Sequence, residues 1–418
     1  MRPQALVESG DLRARRSGFK EVRRRARVLV ILGTRPEAIK LGPVVSALRA
    51  RPDKLEVRLC VTGQHREMLE PVLDLFGIVP DHDLQLMTPN QTLSGLTTAV
   101  IAGTAAILQA ERPDWVVVQG DTTTAFGSSL ASFYQGVRVA HVEAGLRTSD
   151  KHSPFPEEAN RRMVDVLSDL HFAPTERARQ NLLREGTEPE TVHVTGNTVI
   201  DALRHVVARD YDFASGPLSG IPFGRRIVLV TAHRRESFGP GLIAICSALT
   251  QLADEFEDIQ IVYPVHLNPN VRSPVYDRLA DHPRISLIPP LDYASLIQLM
   301  SRSTLILTDS GGIQEEAPSL GKPVLVLRAA TERPEAVEAG CARIVGTDRG
   351  RIVDAARHLL EDAGAYRRMA RVANPFGDGH AAERIADLLL RSTKVGHRST
   401  GAQPFVALRA TSPGNAAP

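Results

Sequence analysis

Short apolar runs alternate along the chain with longer segments in which apolar residues recur every three or four positions. The runs have the length and β-branched content of buried strands, and the longer segments have the period of amphipathic helices. RVLVIL at 27–32 and WVVV at 115–118 are predicted strands, and residues 96–114 and 125–136 are predicted helices. This alternation predicts an α/β fold with parallel sheets and crossover helices.

Five of the predicted strands stop at a polar cluster that contains Arg, Asp, Glu, His or Ser-Gly-Gly. The segments concerned are 27–40, 115–124, 137–147, 226–237 and 304–316. Ligands bind at the carboxyl edge of an open parallel sheet. Because three clusters fall in the first half of the chain and two in the second, they predict an enzyme with a cleft between two α/β domains.

Length and composition agree with two domains. At 418 residues the chain is longer than one ordinary core. Residues 214–226 are rich in Gly, Pro and Ser, and they predict the entry to the second domain. The basic residues 1–26 and the small, polar residues 393–418 are expected to be disordered, with a transit peptide as the alternative for the first stretch.

Charge and cysteine usage exclude several classes of partner. The formal net charge of +2 gives no reason to expect nucleic acid or a membrane surface. No apolar run approaches the roughly 18 residues of a membrane span. Cys60, Cys246 and Cys341 lie far apart and form no CxxC pair, which fits a cytoplasmic protein. No spacing of His, Cys and Asp indicates a metal site.

The segment DSGGIQEEA at 309–317 predicts an anion site. Glycines let the backbone approach a phosphate, and the start of the following helix favours negative charge. Glu316, about one turn into that helix, suits a ribose diol because a carboxylate accepts two hydrogen bonds. A plain glycine turn is the alternative. The GxxxxGKS/T and GxGxxG spacings are absent, which argues against ATP and NAD.

Two other strand ends carry positive charge. In GTRPEAIK at 33–40, Arg35 and Lys40 flank a helix start that Pro36 favours. His233 ends a strand and is followed by two arginines. These side chains are placed to meet phosphate, although solvated basic residues and a structural histidine are the alternatives.

Carboxylates gather at the ends of neighbouring strands. Asp121 ends one strand and Glu143 ends the next, while Glu157 and Glu158 follow two prolines in a stiff loop that enters a helix. Carboxylates that converge on one cleft raise one another's pKa and supply general acid and base. Helix capping is the alternative for each of them, as for Asp121 before three threonines. The GxSxG motif of α/β-hydrolases is absent.

Ten segments in order give the chain a family resemblance. They are GTRPEAIK, TGQHREML, GDTTT, HVEAGLRT, SPFPEEANR, TGNTVIDAL, AHRRESFG, YPVHLNPN, DSGGIQEEAPSLGKPVLVLR and TERPEAV. Between Val28 and Leu390 the chain thereby resembles the bacterial non-hydrolysing UDP-N-acetylglucosamine (UDP-GlcNAc) 2-epimerases. No single segment is decisive, but ten in this order are highly specific.

The resemblance implies a GT-B fold, in which two Rossmann-like, doubly wound α/β domains face a central cleft. The expected divisions are the extension at 1–26, an N-terminal Rossmann-like domain at 27–198, a C-terminal nucleotide-binding Rossmann-like domain at 199–375, a helix crossing back to the N-terminal domain at 376–392, and the tail at 393–418.

The resemblance also implies an activity. It is the reversible epimerisation at C2 of UDP-GlcNAc to UDP-N-acetylmannosamine (UDP-ManNAc), a polysaccharide precursor, by a cytoplasmic homodimer without a cofactor. The C2 proton is too weakly acidic for direct removal. The family therefore eliminates UDP to give 2-acetamidoglucal and adds UDP back after reprotonation on the opposite face.

The family's site residues carry over by position. Its catalytic acids and cleft histidine fall on Asp121, Glu143, Glu157 and His233. Its nucleotide-sugar contacts fall on Arg35, Lys40, Leu291, Leu296, Ser310, Gly311, Gly312, Glu316 and Arg333. The two leucines match the uridine side, through backbone and apolar contact.

The chain departs from the family pattern within the nucleotide site. Ala329 and Ala330 replace polar residues of the common RDTTERPE, and KLGP at 40–43 replaces KMAP. The first change removes polar groups near the nucleotide, and the second is expected to be neutral.

A further departure concerns regulation. The family's regulatory UDP-GlcNAc site uses polar residues of the TGQHREM stretch, which fall here on Gln64, His65 and Glu67. Many members have a basic residue where this chain has Asn90. The change predicts weak allosteric activation.

Three other functions fit parts of the pattern. A hydrolysing epimerase shares the fold but releases free ManNAc and UDP, which product analysis distinguishes. A GT-B glycosyltransferase needs an acceptor and does not exchange the C2 hydrogen. A catalytically inactive nucleotide-sugar sensor is disfavoured because the acids and His233 are present.

Overall fold

The computed structural model describes most of the chain. The described ranges are 24–63, 66–88, 90–148 and 150–394. Most of the two segments predicted to be disordered lies outside these ranges, as do Gln64 and His65 of the predicted regulatory site.

A seven-stranded parallel sheet forms the first half of the molecule. Its strands are β1 (Ala26–Leu32), β2 (Leu55–Val61), β3 (His82–Asp83), β4 (Trp115–Gln119), β5 (Arg138–Val142), β6 (Leu170–Ala173) and β7 (Val192–Val194). The accompanying helices are α1 (Arg35–Arg49), α2 (Arg66–Phe76), α3 (Leu93–Glu111), α4 (Thr123–Tyr134), α5 (Glu157–Leu167), α6 (Glu176–Arg184) and α7 (Thr198–Val207). The strand order β3-β2-β1-β4-β5-β6-β7 reverses at β1, which is the switch point of a doubly wound fold.

A six-stranded parallel sheet forms the second half. Its strands are β8 (Arg226–Thr231), β9 (Ile259–Pro264), β10 (Ile285–Ile288), β11 (Ser303–Thr308), β12 (Val324–Val326) and β13 (Ala342–Ile344). The accompanying helices are α8 (Pro240–Glu255), α9 (Pro269–Leu279), α10 (Tyr293–Arg302), α11 (Gly311–Glu316), α12 (Pro334–Ala339), α13 (Arg349–Glu361) and α14 (Ala363–Ala370). The order β10-β9-β8-β11-β12-β13 repeats the order of the first six strands of the other sheet. Two Rossmann-like sheets confirm the predicted α/β GT-B class.

The central strands are apolar on both faces because helices cover both faces of each sheet. In β1, Val28 and Val30 belong to one core cluster, and Leu29 and Ile31 belong to another on the opposite face. All four side chains are at most 1% exposed. Such burial requires a continuous apolar run, which is the pattern of a parallel sheet.

The chain returns to the first domain at its C-terminal end. Helix α15 (Ala381–Lys394) packs on α1 and α7. Trp115 Nε1 of β4 donates to Thr393 Oγ1 at 3.1 Å. The helix begins at Ala381, within the predicted crossing segment 376–392, and it continues to Lys394, where the contact with Trp115 anchors its last turn.

Helix α3 is long and apolar enough to cross a membrane by length and composition alone. It packs on α4, and Leu96, Val100, Thr104 and Leu108 are its buried residues. Only 22% of the 18-residue apolar stretch of this helix is buried inside the protein. The helix is thus part of the N-terminal layer and leaves an apolar face uncovered.

Candidate active site

A cavity of about 280 Å³ opens between the carboxyl edges of the two sheets. The predicted acids Asp121, Glu143 and Glu157 all line it, together with the predicted cations Lys40 and Arg333. Three larger cavities, of about 680, 490 and 400 Å³, contain none of the predicted site residues, although the second shares Leu146, Arg147, Thr148 and Glu332 with this one. We place the candidate site in the smaller cavity because reactive side chains converge there.

Glu143 is held in the cavity by polar contacts from three directions. It follows β5 with a φ of +67°, a left-handed conformation that a non-glycine residue keeps only when its surroundings impose it. Lys40 Nζ lies 2.6 Å from both carboxylate oxygens. Gln119 Nε2 donates to Oε2, and Asn197 Nδ2 lies 3.4 Å from Oε1.

Neighbouring cations determine the charge of Glu143. Burial acts to raise the pKa of this carboxyl, but Lys40, Arg333 and Arg161 outweigh burial and lower it. Burial likewise acts to lower the pKa of the Lys40 ammonium, and Glu143 with Glu315 raises it. The two side chains therefore form a charged pair at neutral pH.

Asp121 follows β4 and is fixed by helix α5. Arg161 donates to Oδ2 from Nε at 3.0 Å and also from Nη2. Asn160 Nδ2 donates to the backbone oxygen of Asp121 at 3.0 Å. The N-cap of α4 is Thr122, whose hydroxyl accepts from the Ala125 amide at 3.0 Å. The capping alternative for Asp121 is therefore wrong.

Glu157 and Glu158 begin α5 in different surroundings. Glu157 lines the cavity, whereas Glu158 is fully buried beneath it. Glu158 accepts from the Thr148 amide at 3.0 Å and from Arg161 Nη1 at 3.1 Å. Glu158 is thus a structural anchor for the loop, and Glu157 is the member of the pair that meets the cavity.

Glu316 lies across the cleft, at the end of α11. It is 5% exposed, and the Tyr293 hydroxyl donates to its Oε1 at 2.9 Å. Burial raises the pKa of Glu316 to about 8, and the nearby Glu315 acts in the same direction. Lys40 and Arg35 of the first domain act to lower this pKa without outweighing burial. The predicted Arg35 is not among the residues that line the 280 Å³ cavity.

The Ser-Gly-Gly turn lies beside the Arg333 guanidinium. Ser310 is the N-cap of α11, and Gly311 and Gly312 are its first residues. A Cβ atom added to Gly311 would stand 3.9 Å from Arg333 Cζ. Backbone amides and a guanidinium therefore face the same space, as an anion site requires.

Glu315 is a buried site residue that the sequence analysis missed. It accepts from Arg333 Nε, and Asn197 Nδ2 donates to its Oε2 at 3.1 Å. Because Asn197 also reaches Glu143, these contacts connect the acid of one sheet with the cation of the other. Glu315 stands next to Glu316 in DSGGIQEEA, and that position was the available signal.

His233 stands at the edge of the second sheet and does not line the 280 Å³ cavity. The buried Asp309 accepts from the amides of His233 and Arg234 at 2.5 and 2.7 Å, and its Oδ1 lies 3.2 Å from His233 Nδ1. The ring stacks on His266 with 5.3 Å between centroids. Burial lowers the pKa of His233, His266 and Arg234 add to the effect, and Asp309 opposes it. A neutral ring at pH 7 follows.

The remaining predicted residues have less direct places. Leu291 and Leu296 are partly buried and pack against the core. Asn90 is exposed, with a φ of +57°. Glu67 lies in the first turn of α2, but its side chain is outside the described part of the structure. Within the described ranges, no group of three His, Cys, Asp or Glu side chains could hold a metal ion.

The chain matches known proteins along most of its length. A family model described as UDP-N-acetylglucosamine 2-epimerase matches residues 46–390. The chain is 54% identical over 371 residues to the UDP-N-acetylglucosamine 2-epimerase of Escherichia coli K12, covering 87% of this chain and 98% of that protein. The corresponding enzyme of Salmonella typhimurium is 53% identical over 371 residues, with the same coverage.

Solved structures agree with these relatives. The UDP-GlcNAc 2-epimerase from Neisseria meningitidis bound to UDP-GlcNAc superposes with a TM-score of 0.79 at 47% identity, covering 87% of this chain and 100% of that one. The Methanocaldococcus jannaschii enzyme in complex with UDP-GlcNAc and UDP gives 0.71 at 33% identity, covering 87% and 99%. Because the family model spans most of the chain and relatives share about half of its residues, the chain belongs to the UDP-N-acetylglucosamine 2-epimerase family and is an enzyme of that family.

Proposed function

We propose that this enzyme interconverts UDP-GlcNAc and UDP-ManNAc reversibly and without hydrolysis. One observation carries the proposal: three carboxylates of the first sheet line the same cavity as Lys40 and Arg333, and the Ser-Gly-Gly turn stands beside that arginine. The bound ligands of the Neisseria and Methanocaldococcus enzymes are the nucleotides that such a site suits.

The proposed reaction has two halves. In the first, a carboxylate takes the C2 proton only as the C1–O bond breaks. The C2–H electron pair forms the C1=C2 double bond, and UDP leaves with the electron pair of the C1–O bond. In the second, UDP oxygen attacks C1 and a carboxyl group returns a proton to the other face of C2. The atoms and electrons balance without an oxidant, so the route needs no redox cofactor.

The acids of the first sheet would carry the proton transfers. Glu143 is kept ionised by Lys40 and is suited to accept a proton. Asp121 and Glu157 line the same cavity from β4 and α5. Carboxyl groups on several elements allow one acid on each face of C2, as inversion requires.

The cations around the cavity would stabilise the departing UDP. Lys40 and Arg333 line the cavity, and Arg35, the first residue of α1, is a further proposed contact. His233, at the edge of β8, is the remaining candidate contact for the diphosphate. Charge that develops on a leaving phosphate is stabilised best by donors that are already fixed in place, and the ion pairs here fix Lys40 and Arg333.

The second domain would hold the nucleoside. Glu316 is buried beside Tyr293 and is proposed to bind the ribose diol. Leu291 and Leu296 are proposed for the uridine side. In this proposal, the acids of the first domain carry the proton transfers, and the second domain makes most of the contacts that bind the nucleotide.

The proposed assembly is a homodimer. Helices α3, α4 and α5 lie side by side and expose an apolar face, on which Phe133, Tyr134, Met163 and Val166 are 60, 68, 39 and 85% exposed. A patch of this kind on a soluble chain typically marks an interface, and a second copy of the chain is the proposed occupant. Phe133→Glu with Val166→Glu is expected to halve the mass measured by light scattering.

Product analysis tests the proposed reaction. Incubation with UDP-GlcNAc should give UDP-ManNAc as the new sugar nucleotide, and NMR should detect a mixture of the two at equilibrium. Accumulation of free ManNAc and UDP would instead identify a hydrolysing epimerase. Unchanged UDP-GlcNAc until an acceptor is added would identify a glycosyltransferase.

A further inference from the structure

His141 is a buried ring below the candidate active site that the proposed chemistry does not use. It lies in β5, two residues before Glu143, and is 0% exposed. Its Nδ1 lies 2.7 Å from Asp165 Oδ1, and its Nε2 lies 2.8 Å from the backbone oxygen of Gly120. Both ring nitrogens therefore have a hydrogen-bond partner within the protein.

Both partners of the ring are oxygen acceptors. One ring nitrogen faces a carboxylate and the other faces a backbone oxygen, so the ring is held in one orientation from both sides. Asp165 is held in turn by Arg147, whose Nη2 lies 2.8 Å from Asp165 Oδ2. Burial acts to raise the pKa of Asp165, but His141 and Arg147 outweigh it and lower that pKa.

A polar ring at this depth is costly unless its nitrogens are hydrogen-bonded. Packing alone does not require a polar ring, since an apolar aromatic ring fills a similar space. The two bonds are therefore the property that distinguishes His141 from a simple core residue. What those bonds connect indicates its role.

The two bonds connect all three elements that carry the candidate acids. Gly120, the last residue before Asp121, holds a φ of +69° at the end of β4. Asp165 lies about two helical turns after Glu157 on α5. Since His141 itself is in the strand that leads to Glu143, one ring joins β4, β5 and α5.

We propose that His141 is a positioning residue that fixes the three carboxyl groups relative to one another, acting through Gly120 and Asp165 without touching the substrate. The inference rests on the proposed epimerase reaction, in which proton transfer at C2 depends on where those carboxyl groups stand. Misplacing a catalytic group by about 1 Å costs on the order of 10²-fold in rate.

The matched control is His171, the register partner of His141 on β6. Its ring is also buried, at 2% exposure. It bonds the backbone oxygen of Asp165 at 2.8 Å and the Thr191 hydroxyl at 3.4 Å. Replacing it perturbs the same core without breaking the bond to Gly120.

The experiment compares His141→Phe with His171→Phe in the full-length enzyme. We expect kcat for epimerisation to fall by on the order of 10²-fold in His141→Phe, with KM and the calorimetric Kd for UDP within about threefold of wild type. His171→Phe is expected to keep kcat within about threefold of wild type. His141→Gln restores a hydrogen-bonding side chain, and its kcat should lie between those of wild type and His141→Phe.

Thermal melting distinguishes a positioning role of His141 from a purely structural one. If His141→Phe melts earlier but its folded fraction keeps the wild-type kcat, His141 is structural only and the proposal is wrong. If His141→Phe does not fold, His141→Gln decides, and a wild-type kcat in that variant overturns the proposal. Failure of the wild type to epimerise UDP-GlcNAc contradicts the proposed function instead.

Discussion

Two buried glutamates, one on each side of the cleft, have pKa values shifted in opposite directions. Glu143 and Glu316 are 7 and 5% exposed, so burial alone acts on both in the same way. The pKa of Glu143 is nevertheless lowered by Lys40, Arg333 and Arg161, whereas that of Glu316 is raised to about 8. The difference lies in the direct partners. Lys40 pairs with Glu143, whereas Glu316 is bonded by a neutral tyrosine hydroxyl, and Lys40 and Arg35 do not outweigh its burial.

This contrast suggests different roles for the two sheets, acid–base chemistry for the first and ligand binding for the second. An ionised carboxylate beside cations can accept a proton, so the first sheet is equipped for acid–base chemistry. A carboxyl group that holds its proton near neutral pH is equipped for hydrogen bonding to hydroxyl groups. Changes to the first sheet should therefore affect turnover, and changes to the second should affect binding.

The largest effect is expected for the acids of the first sheet. Asp121→Asn, Glu143→Gln and Glu157→Gln should each lower kcat by roughly 10²- to 10⁴-fold, because each removes a general acid or base. Calorimetry should show little change in UDP affinity. Glu190→Gln, which changes an exposed carboxylate of the same domain, is the control and should leave kcat unchanged.

Near-wild-type kcat in all three variants would show that these acids are not the catalytic groups. A loss of UDP affinity as large as the loss of kcat would remove the proposed division between the two sheets.

Lys40→Met tests the cations that keep Glu143 ionised. Without this ammonium, burial acts on Glu143 with less opposition and its pKa rises. The carboxylate form is then lost at a higher pH than in wild type, so the acidic limb of the kcat profile should move to higher pH. At pH 7 we expect kcat to fall by roughly 10²-fold, since Lys40 is also proposed to stabilise the leaving UDP.

The pH dependence of kcat distinguishes an effect of Lys40 on Glu143 from an effect on UDP. A lower kcat with an unmoved acidic limb would mean that Lys40 acts on UDP alone. Lys40→Arg, which keeps the charge, should return the limb to its wild-type position.

Glu316→Ala should affect binding rather than turnover. Loss of two hydrogen bonds to the ribose should weaken UDP binding by roughly 1–3 kcal/mol, which is about 5- to 150-fold in Kd. Tyr293→Phe removes only the hydroxyl that orients Glu316 and should cost less. Unchanged Kd in both variants, measured by calorimetry, would show that Glu316 supports its helix and nothing more.

The smallest effect is expected at residue 90. The family resemblance implies a second, regulatory UDP-GlcNAc, to whose diphosphate Asn90 would offer no charge. We therefore expect UDP-ManNAc alone to react slowly and to require high UDP-GlcNAc for activation. Asn90→Arg should lower the activating concentration of UDP-GlcNAc about tenfold, because one hydrogen bond to a charged group changes affinity by about that factor. Strong activation of the wild type at micromolar UDP-GlcNAc, or an unchanged response in Asn90→Arg, would show that residue 90 does not tune the site.

The sequence predicted the main architecture because its signals are local. Apolar runs identified strands such as β1 and β4, and the polar residues after them marked the carboxyl edges. The short strands β3, β7 and β13 were missed, since two or three residues cannot show a period and are strands only through their neighbours. The end of α15 was missed for the same reason, because a hydrogen bond from distant Trp115 anchors it.

The site was predicted in part. Residues that follow strands directly, such as Asp121 and Glu143, could be named from position. Arg161 could not, because its role depends on Asp121 from another element. Glu315 had only its place beside Glu316 as a signal, because its contact with Arg333 exists only in the fold. The opposite pKa shifts of Glu143 and Glu316 could not be predicted from the sequence either, since they depend on what surrounds each side chain.

Deuterium incorporation at C2 tests the central claim most directly. With UDP-GlcNAc in D₂O, wild-type enzyme should place deuterium at C2 of both epimers, detected by loss of the C2 proton signal in NMR. Glu143→Gln should bind UDP but incorporate deuterium far more slowly, since binding belongs mainly to the second sheet. Epimerisation with full retention of the C2 proton would contradict proton transfer by the first sheet and the elimination route with it.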